Sequence, residues 1–549
     1  MGKRFKSFTA PATVIMYFMH LSQIPAYLFL RREVSKHMVS MCFYFCINED
    51  DNMTKRMMFQ GTASSVGKSI LTAGMCRILM QDGIKVAPFK AQNMALNSFV
   101  TKEGLEMGRA QVVQAEAAGL EPDVLMNPIL IKPTSDTGSQ VIVHGKVSEN
   151  MDAKTYHAYK EKLKKAVKSA YDELEQKYEA IIMEGAGSPA EINLRENDLV
   201  NMGMANMSDS KVILIGDIDR GGVFASVYGT YMLLNEEERS RICGYIINKF
   251  RGDVNLLKPG IEMLKEYIPL PCLGVMPYIK LEIDDEDSVT DRFKANNKGK
   301  VKVSVIRLPY ISNFTDFSPL ELEPDLEVIY ATKLEQVIDA DLIIVPGSKN
   351  TLSDMKYLHD QGFVETIIRK NRMGIPVIGI CGGYQMLGEE IIDENCVESQ
   401  IKRINGIGLL PVKTEMELEK HTTQTIGNIN EENKLFDNKK FLNLKGYEIH
   451  MGKTELLSNE IKPFINTING RFDGAYYEKR QVLGTYMHGI FDNDELRKAL
   501  IDTLLKKKGF EIKKEALSIN QIKEDAYNRL ADTMREHLDI DYIYKEMGF

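Results

Sequence analysis

The sequence predicts an α/β protein built from two successive domains, each on a parallel sheet. Three observations predict it. From residue 53 onward, short apolar runs alternate with amphipathic stretches, the pattern of βα units packed on both faces of a sheet. One early run, Met57-Met-Phe-Gln60, opens into the glycine-rich loop Gly61-Thr-Ala-Ser-Ser-Val-Gly67-Lys68-Ser69. One late run, Ile375-Pro-Val-Ile-Gly-Ile-Cys381, ends in a cysteine and two glycines. The chain has 549 residues, well beyond the roughly 250–300 at which a single core stops growing.

The first fifty residues do not share this pattern. Residues 13–30 are apolar, with Lys3, Arg4 and Lys6 before them and Arg31 and Arg32 after, as in a signal anchor. His20, Ser22, Gln23 and Pro25 interrupt the run, which barely reaches the ~20 residues a spanning helix needs. Met53 then begins Met-Thr-Lys-Arg-Met-Met-Phe-Gln, which leads directly into a strand. Residues 1–52 are therefore expected to be an extension outside the fold, with no stable membrane association.

The next domain is expected over 53–284. Small residues in the loop after Met57-Met-Phe-Gln60 let backbone amides approach phosphate oxygens. Lys68 reaches terminal phosphates, and Ser69 offers a hydroxyl to Mg²⁺. Gly61 to Gly67 is one residue longer than the strict Walker A spacing, and Thr62 stands where that pattern has glycine. Ile70, Leu71, Met75, Ile78 and Leu79 give the following helix an apolar face. Lys85-Val-Ala-Pro-Phe89, Ala180-Ile-Ile-Met183, Lys211-Val-Ile-Leu-Ile-Gly216 and Cys243-Gly-Tyr-Ile-Ile-Asn248 read as further buried strands. Two of them end in acid: Glu184, and the pair Asp217 and Asp219. Carboxylates at this edge of a parallel sheet lie where nucleotides bind, so Mg²⁺ duty is expected of Glu184 and Asp217 with Ser69; helix capping is the alternative. Asn248-Lys249 faintly resembles a purine-reading motif, which makes Asn248 a nucleotide-binding candidate.

The polar stretch at 285–300 is the expected linker. A second α/β series, expected over 301–500, starts at Val301-Lys-Val-Ser-Val-Ile306 and continues through Asp341-Leu-Ile-Ile-Val-Pro346 to the strand before Cys381. The two glycines permit a sharp strand-to-helix turn that lifts the thiol clear of the sheet. Amides opening the next helix, Gly382 first, can then stabilise a thiolate or an oxyanion. The loop Pro346-Gly347-Ser348-Lys349 offers a second such amide at Gly347. A histidine beside the thiol would shuttle protons; the candidates are His488, in Gly484-Thr-Tyr-Met-His488-Gly489, and His450, in Gly446-Tyr-Glu-Ile-His-Met-Gly452. Residues 501–549 carry Lys, Glu and Leu at helical spacing and are expected to form a C-terminal helical segment.

Composition narrows the class. With 44% hydrophobic and 27% charged residues the chain is ordinary for a globular protein, and its net charge of -8 opposes a nucleic-acid binder. Seven cysteines without metal-ligand spacing read as free thiols in a reducing, cytoplasmic setting.

These motifs carry a resemblance. The strand–Cys381-Gly-Gly-Tyr-Gln turn, the Pro-Gly-Ser-Lys loop and the Tyr-Met-His-Gly segment resemble class I glutamine amidotransferases. The general family places a glutamate two residues after the histidine; here Ile490 stands there, as in the cobyrinate-amidating branch. The first half resembles the dethiobiotin-synthetase-like amidoligases, which share the longer phosphate loop. In this order the two halves resemble the cobyrinate amidotransferase family. Lys90-Ala-Gln-Asn-Met-Ala-Leu-Asn-Ser98, Glu184-Gly-Ala-Gly-Ser-Pro-Ala-Glu-Ile-Asn-Leu194 and Asp217-Ile-Asp-Arg-Gly-Gly-Val-Phe224 match its cobyric acid branch. The a,c-diamide branch carries a Gly-Pro-Asp-Tyr type sequence at the first of these segments.

The resemblance implies Cys381 as nucleophile toward glutamine, His488 as proton carrier, and Gly347 and Gly382 as the oxyanion hole. It implies ATP and Mg²⁺ at the phosphate loop, and amidation of the b, d, e and g carboxylates of adenosylcobyrinic acid a,c-diamide. The alternatives are an a,c-diamide synthase or, more distantly, a non-catalytic P-loop switch. A homo-oligomer is compatible with this expectation.

Overall fold

The computed structural model describes residues 54–133, 138–283, 299–430, 433–512 and 515–549. The expected extension at 1–52, and all but the last two residues of the expected linker at 285–300, lie outside them.

The first sheet is parallel. Its strand order is Cys272–Pro277, Ile242–Phe250, Lys211–Asp217, Lys55–Gly61, Ala180–Glu184 and Val86–Phe89. Period-2 alternation explains why these runs read as continuously apolar. Met58 points into one core, shared with Ile181, Met183 and Leu214. Met57 and Phe59 point into the core on the other face, with Ile182 and Ile213. The strand carrying the phosphate loop lies centrally, between the strands that end in Glu184 and Asp217.

The second sheet runs Leu326–Ala331, Val301–Ile306, Leu342–Val345, Val377–Ile380, Val482–Thr485 and Ala475–Tyr477, and only the last pairing is antiparallel. The strand before Cys381 is thus neighboured by the strand leading to the Pro-Gly-Ser-Lys loop and by the strand leading to His488. That order alone gathers three sequence-distant segments at one sheet edge. A long antiparallel hairpin, Val412–Ile429 with Phe441–Leu456, belongs to a third sheet and reaches across to the first half of the chain. Thr422 Oγ1 donates to the Gly104 carbonyl at 2.7 Å.

Helix Asp494–Lys507 packs into the second core. Helices Ile519–His537 and Ile540–Met547 return to the first core. The approach is close: a Cβ on Gly74, in helix Lys68–Gln81, would lie 2.2 Å from the Met534 sulfur. Arg77 locks the contact through Glu524 at 2.6 Å and Asn528 at 3.0 Å. Full burial of Leu530, Met534 and Ile543 stabilises this clasp by roughly 1.5–3 kcal/mol per side chain. Among the described residues no helix is long and apolar enough to cross a membrane.

Candidate active site

Cys381 has φ 50° and ψ −108°, outside the regions an L-residue ordinarily occupies. Such strain costs on the order of 1–3 kcal/mol and persists only where packing enforces it. Glycines supply that packing. A Cβ on Gly383 would lie 1.8 Å from the Val345 carbonyl oxygen, and one on Gly484 would lie 1.9 Å from the Tyr384 ring. Strand and helix can therefore close tightly around the turn. The Cys381 amide donates to the Thr485 carbonyl at 2.8 Å, and Sγ lies 3.5 Å from the carbonyl oxygen of Ile449.

His488 is buried beside this thiol. Its Nδ1 lies 2.7 Å from Oδ2 of Asp316; because a carboxylate only accepts, Nδ1 donates. Oδ1 of the same carboxylate accepts from the Gly489 amide at 2.9 Å. Nε2 has no conventional hydrogen-bond partner among the described residues, which leaves that nitrogen for Cys381. Burial alone would lower the His488 pKa. The charges of Asp316 and Cys381 outweigh burial and hold the imidazole well above its ordinary range. Tyr447 stacks on the ring, with centroids 5.2 Å apart.

Gly347 lies against the same histidine: a Cβ there would be 3.5 Å from His488 Cε1. A Cβ on Gly382 would lie 2.9 Å from the Ser348 amide, so the two glycines adjoin. Gly382 opens helix Gly382–Leu387, where the first amides have no intrahelical acceptor. His450, the other candidate histidine, is held at Nδ1 by the Gly452 carbonyl at 2.8 Å and stacks on Tyr486.

Asp316 was not a sequence candidate. The acid expected after the histidine is missing at Ile490, and its place is taken by one supplied 172 residues earlier. The available signal was an acid between two phenylalanines in Phe314-Thr-Asp-Phe317, shortly after a strand; Asp316 is buried there with Phe314 and Phe317.

At the phosphate loop, Gly67 has φ +99°, and a Cβ there would lie 2.1 Å from Nδ2 of Asn248. Asn248 Nδ2 donates to the Val66 carbonyl at 2.8 Å, so it braces the loop from behind. Lys68 is buried, with Nζ 3.0 Å from the Ala63 carbonyl and 3.1 Å from that of Gly187. Gly61 adjoins this ammonium, since a Cβ there would be 2.9 Å from Lys68 Nζ. The Thr62 amide is taken by the Ile215 carbonyl at 2.9 Å.

Ser69 Oγ donates to Glu184 Oε1 at 2.9 Å. Two residues beyond the site candidates complete that cluster: Lys90 Nζ at 3.0 Å from Oε1 and Gln114 Nε2 at 2.6 Å from Oε2. Asp217 does not join them. It lies on the far side of the loop strand, two strands over from Glu184 and four residues further along the sheet, and pairs with Lys249 Nζ at 3.0 Å. Lys249 also donates to the Ser65 carbonyl at 2.5 Å.

Comparisons with known proteins match both halves of the chain. Residues 57–288 match the CobQ/CobB/MinD/ParA nucleotide binding domain, and residues 302–496 match the CobB/CobQ-like glutamine amidotransferase domain. Cobyric acid synthase of Alkaliphilus metalliredigens (strain QYMF) is 53% identical over 500 residues, 89% of this chain and 99% of the relative. The chain belongs to the cobyric acid synthase family. Cobyric acid synthase of Citrobacter koseri is 49% identical over 90% of this chain and 99% of its own length. Among solved structures, PurLQS from Thermotoga maritima covers 38% of this chain at 16% identity, with a TM-score of 0.28. As a family member the chain is a glutamine-hydrolysing amidoligase of cobalamin biosynthesis, with a P-loop nucleotide-binding domain followed by an amidotransferase domain.

Proposed function

We propose that this chain uses ATP and glutamine to amidate the b, d, e and g carboxylates of adenosylcobyrinic acid a,c-diamide, giving adenosylcobyric acid. The observation that carries the reading is the full-length likeness to cobyric acid synthases, joined to a strained cysteine beside an acid-backed histidine.

Cys381 Sγ attacks the side-chain carbonyl carbon of glutamine. The amides of Gly347 and Gly382 receive the developing oxyanion. His488 passes a proton from Nε2 to the leaving nitrogen, so ammonia departs and a glutamyl thioester remains. Water, deprotonated by the same nitrogen, then releases glutamate and restores the thiol. Asp316 fixes the tautomer that makes Nε2 the working atom.

In the first half, a corrin carboxylate attacks the γ-phosphorus of ATP and becomes an acyl phosphate with loss of ADP. Ammonia displaces phosphate and leaves an amide. This activation is needed because a carboxylate's charge repels nucleophiles. Lys68 and the loop amides hold the phosphates. The oxygen donors Ser69 and Glu184, 2.9 Å apart, suit Mg²⁺, which would neutralise phosphate charge there. Asp217, paired with Lys249 across the loop, is the more remote candidate ligand.

The test is mass spectrometry of the corrin after incubation of the purified chain with the a,c-diamide, ATP and glutamine. Four successive amidations are expected. Conversion of cobyrinic acid to its diamide, with no further reaction, would instead assign the chain to the sister activity. No mass change with either substrate would overturn the proposal.

A further inference from the structure

Residues 90–98 touch both chemical centres. At one end Lys90 Nζ lies 3.0 Å from Glu184, the carboxylate that also binds Ser69 of the phosphate loop. Lys90 and Glu184 are both buried. Between the ends, strand Gln92–Met94 is held in parallel pairing with Ile129–Pro133, and the Lys90 carbonyl accepts from Asn127 Nδ2 at 3.1 Å. The segment is therefore a supported strap and can transmit a displacement.

At the other end the strap, with Val100 just beyond it, reaches the surroundings of all three members of the glutaminase site. Asn97 Oδ1 accepts from the Phe314 amide at 3.2 Å, and the Ser98 amide donates to Asn313 Oδ1 at 3.0 Å. Asn313 and Phe314 begin the short turn that carries Asp316, and Asn313 sits at φ 50° in the left-handed region. The Ser98 carbonyl accepts from Tyr447 Oη at 3.1 Å. Tyr447 stacks on His488 and exchanges both backbone hydrogen bonds with it, at 3.2 and 2.8 Å. Val100 packs in one small apolar cluster with Tyr447 and Ile449, and the Ile449 carbonyl is the one facing Cys381 Sγ.

The junction is also one bond short of complete. Asn97 is fully buried, yet its Nδ2 has no hydrogen-bond partner among the described residues. A second arrangement that satisfied this donor would be favoured by that bond, which is what a two-state element requires.

We propose that residues 90–98 couple the phosphate site to the glutaminase site, with Asn97, Ser98 and Tyr447 as positioning residues for the Cys381, His488 and Asp316 constellation. Phosphates arriving at the loop compete with Glu184 for Lys90, and a cation there competes with Lys90 for Glu184. Either event re-aims the start of the strap, and the far end re-aims the turn bearing Asp316 and the ring lying on His488. Ammonia would then be released in step with the formation of its acceptor. The inference rests on the functional reading given above.

The test uses the full chain and three measurements: glutamate release from glutamine alone, glutamate release with MgATP and the corrin diamide present, and amidation driven by ammonium salt. Wild type is expected to release glutamate faster when the synthetase substrates are present. Tyr447→Phe keeps the ring on His488 and removes only the hydroxyl to Ser98. Asn97→Ala removes the acceptor of the Phe314 amide. Each is expected to lower the stimulated kcat about 3- to 10-fold, the weight of one buried hydrogen bond, with KM for glutamine and ammonium-driven amidation unchanged. A purely structural role would depress basal and stimulated glutamate release by the same factor. Equal loss of those two rates, or full retention of stimulation in both variants, overturns the coupling alone. A wild-type chain that releases no glutamate overturns the functional reading and the coupling with it.

Discussion

Oδ2 of Asp316 and Nδ1 of His488 stand 2.7 Å apart, with the second carboxylate oxygen held by the Gly489 amide at 2.9 Å. Both groups are buried, so the acid is held firmly against the ring it orients. Its charge favours the imidazolium that proton transfer creates.

Asp316→Asn keeps the shape and removes that charge. His488, now raised by Asp316 and Cys381 against burial, should fall toward or below its ordinary pKa. The sign follows: the alkaline limb of the glutaminase pH profile moves to lower pH, and kcat falls on the order of 10²- to 10⁴-fold. Stability shifts as well. A raised histidine stabilises the fold fully below about pH 6.5 and loses that contribution as pH rises through its raised value. The variant should therefore lose more stability at neutral pH than at high pH. A pH series of glutamate release and of thermal unfolding checks both.

Cys381→Ala should abolish glutamine-dependent amidation and spare amidation with high ammonium salt. Nucleophile and phosphate loop lie on different sheets, so removing the sulfur leaves the synthetase residues in place. Product formation from each nitrogen source decides it. Loss of both in a folded variant would sink the two-site reading.

Lys68→Ala should lower turnover more than it weakens ATP binding, on the order of 10²-fold in kcat, because the ammonium is most needed as charge shifts between phosphates. Glu184→Gln should raise the Mg²⁺ concentration required for activity. Titration of ammonium-driven amidation against Mg²⁺ tests this. An unchanged requirement would leave Glu184 as the partner of Lys90 and Gln114, and move the metal assignment to Asp217.

Glu106→Gln should destabilise the junction between the two halves. Glu106 is buried against Lys132 at 2.9 Å and against Lys420 of the long hairpin. Burial would raise its pKa, but the two ammonium groups hold it down at about 2. Lys420 is itself pushed down to about 7, chiefly by burial, with Lys132 and Lys349 opposing the attraction of Glu106. Lys132 is therefore the firmer partner. Removing the carboxylate strands buried positive charge, at a cost of about 3–5 kcal/mol. In wild type this stabilisation is present above the ordinary carboxylate range and fades as pH falls toward 2. Thermal unfolding of both chains between pH 3 and pH 7 tests it, since about 4.3 is the ordinary glutamate value.

The parts of this architecture that are local in sequence were legible in it. Buried strands show as apolar runs, and the turns at Gly67 and Cys381 show as glycines beside functional side chains, because strain and close backbone approach demand them. Contacts set by topology were not legible. Asp316, after strand Val301–Ile306, reaches His488, after strand Val482–Thr485, across two intervening strands of the sheet. Lys90 and Gln114 reach Glu184 from another strand end and another helix, and no spacing rule links them. The stretch after residue 500 reads as a C-terminal helical segment, with nothing to say where it packs. Its apolar side, Ala526, Leu530 and Met534, is part of the first core.

That last contact bears on how the protein is made. Arg77 and Asn528 are bonded across 451 residues, so the helix behind the phosphate loop leaves the ribosome long before its neighbour exists. At roughly 5–20 residues per second, the helix face at Gly74, Arg77 and Ile78 waits about 20–90 s for its covering. The nucleotide-binding half cannot close its core during synthesis, and a chain stopped after the amidotransferase domain would carry an open apolar seam along that helix. Emergence of helices Ile519–His537 and Ile540–Met547, rather than completion of the first sheet, is the moment at which this fold can be sealed.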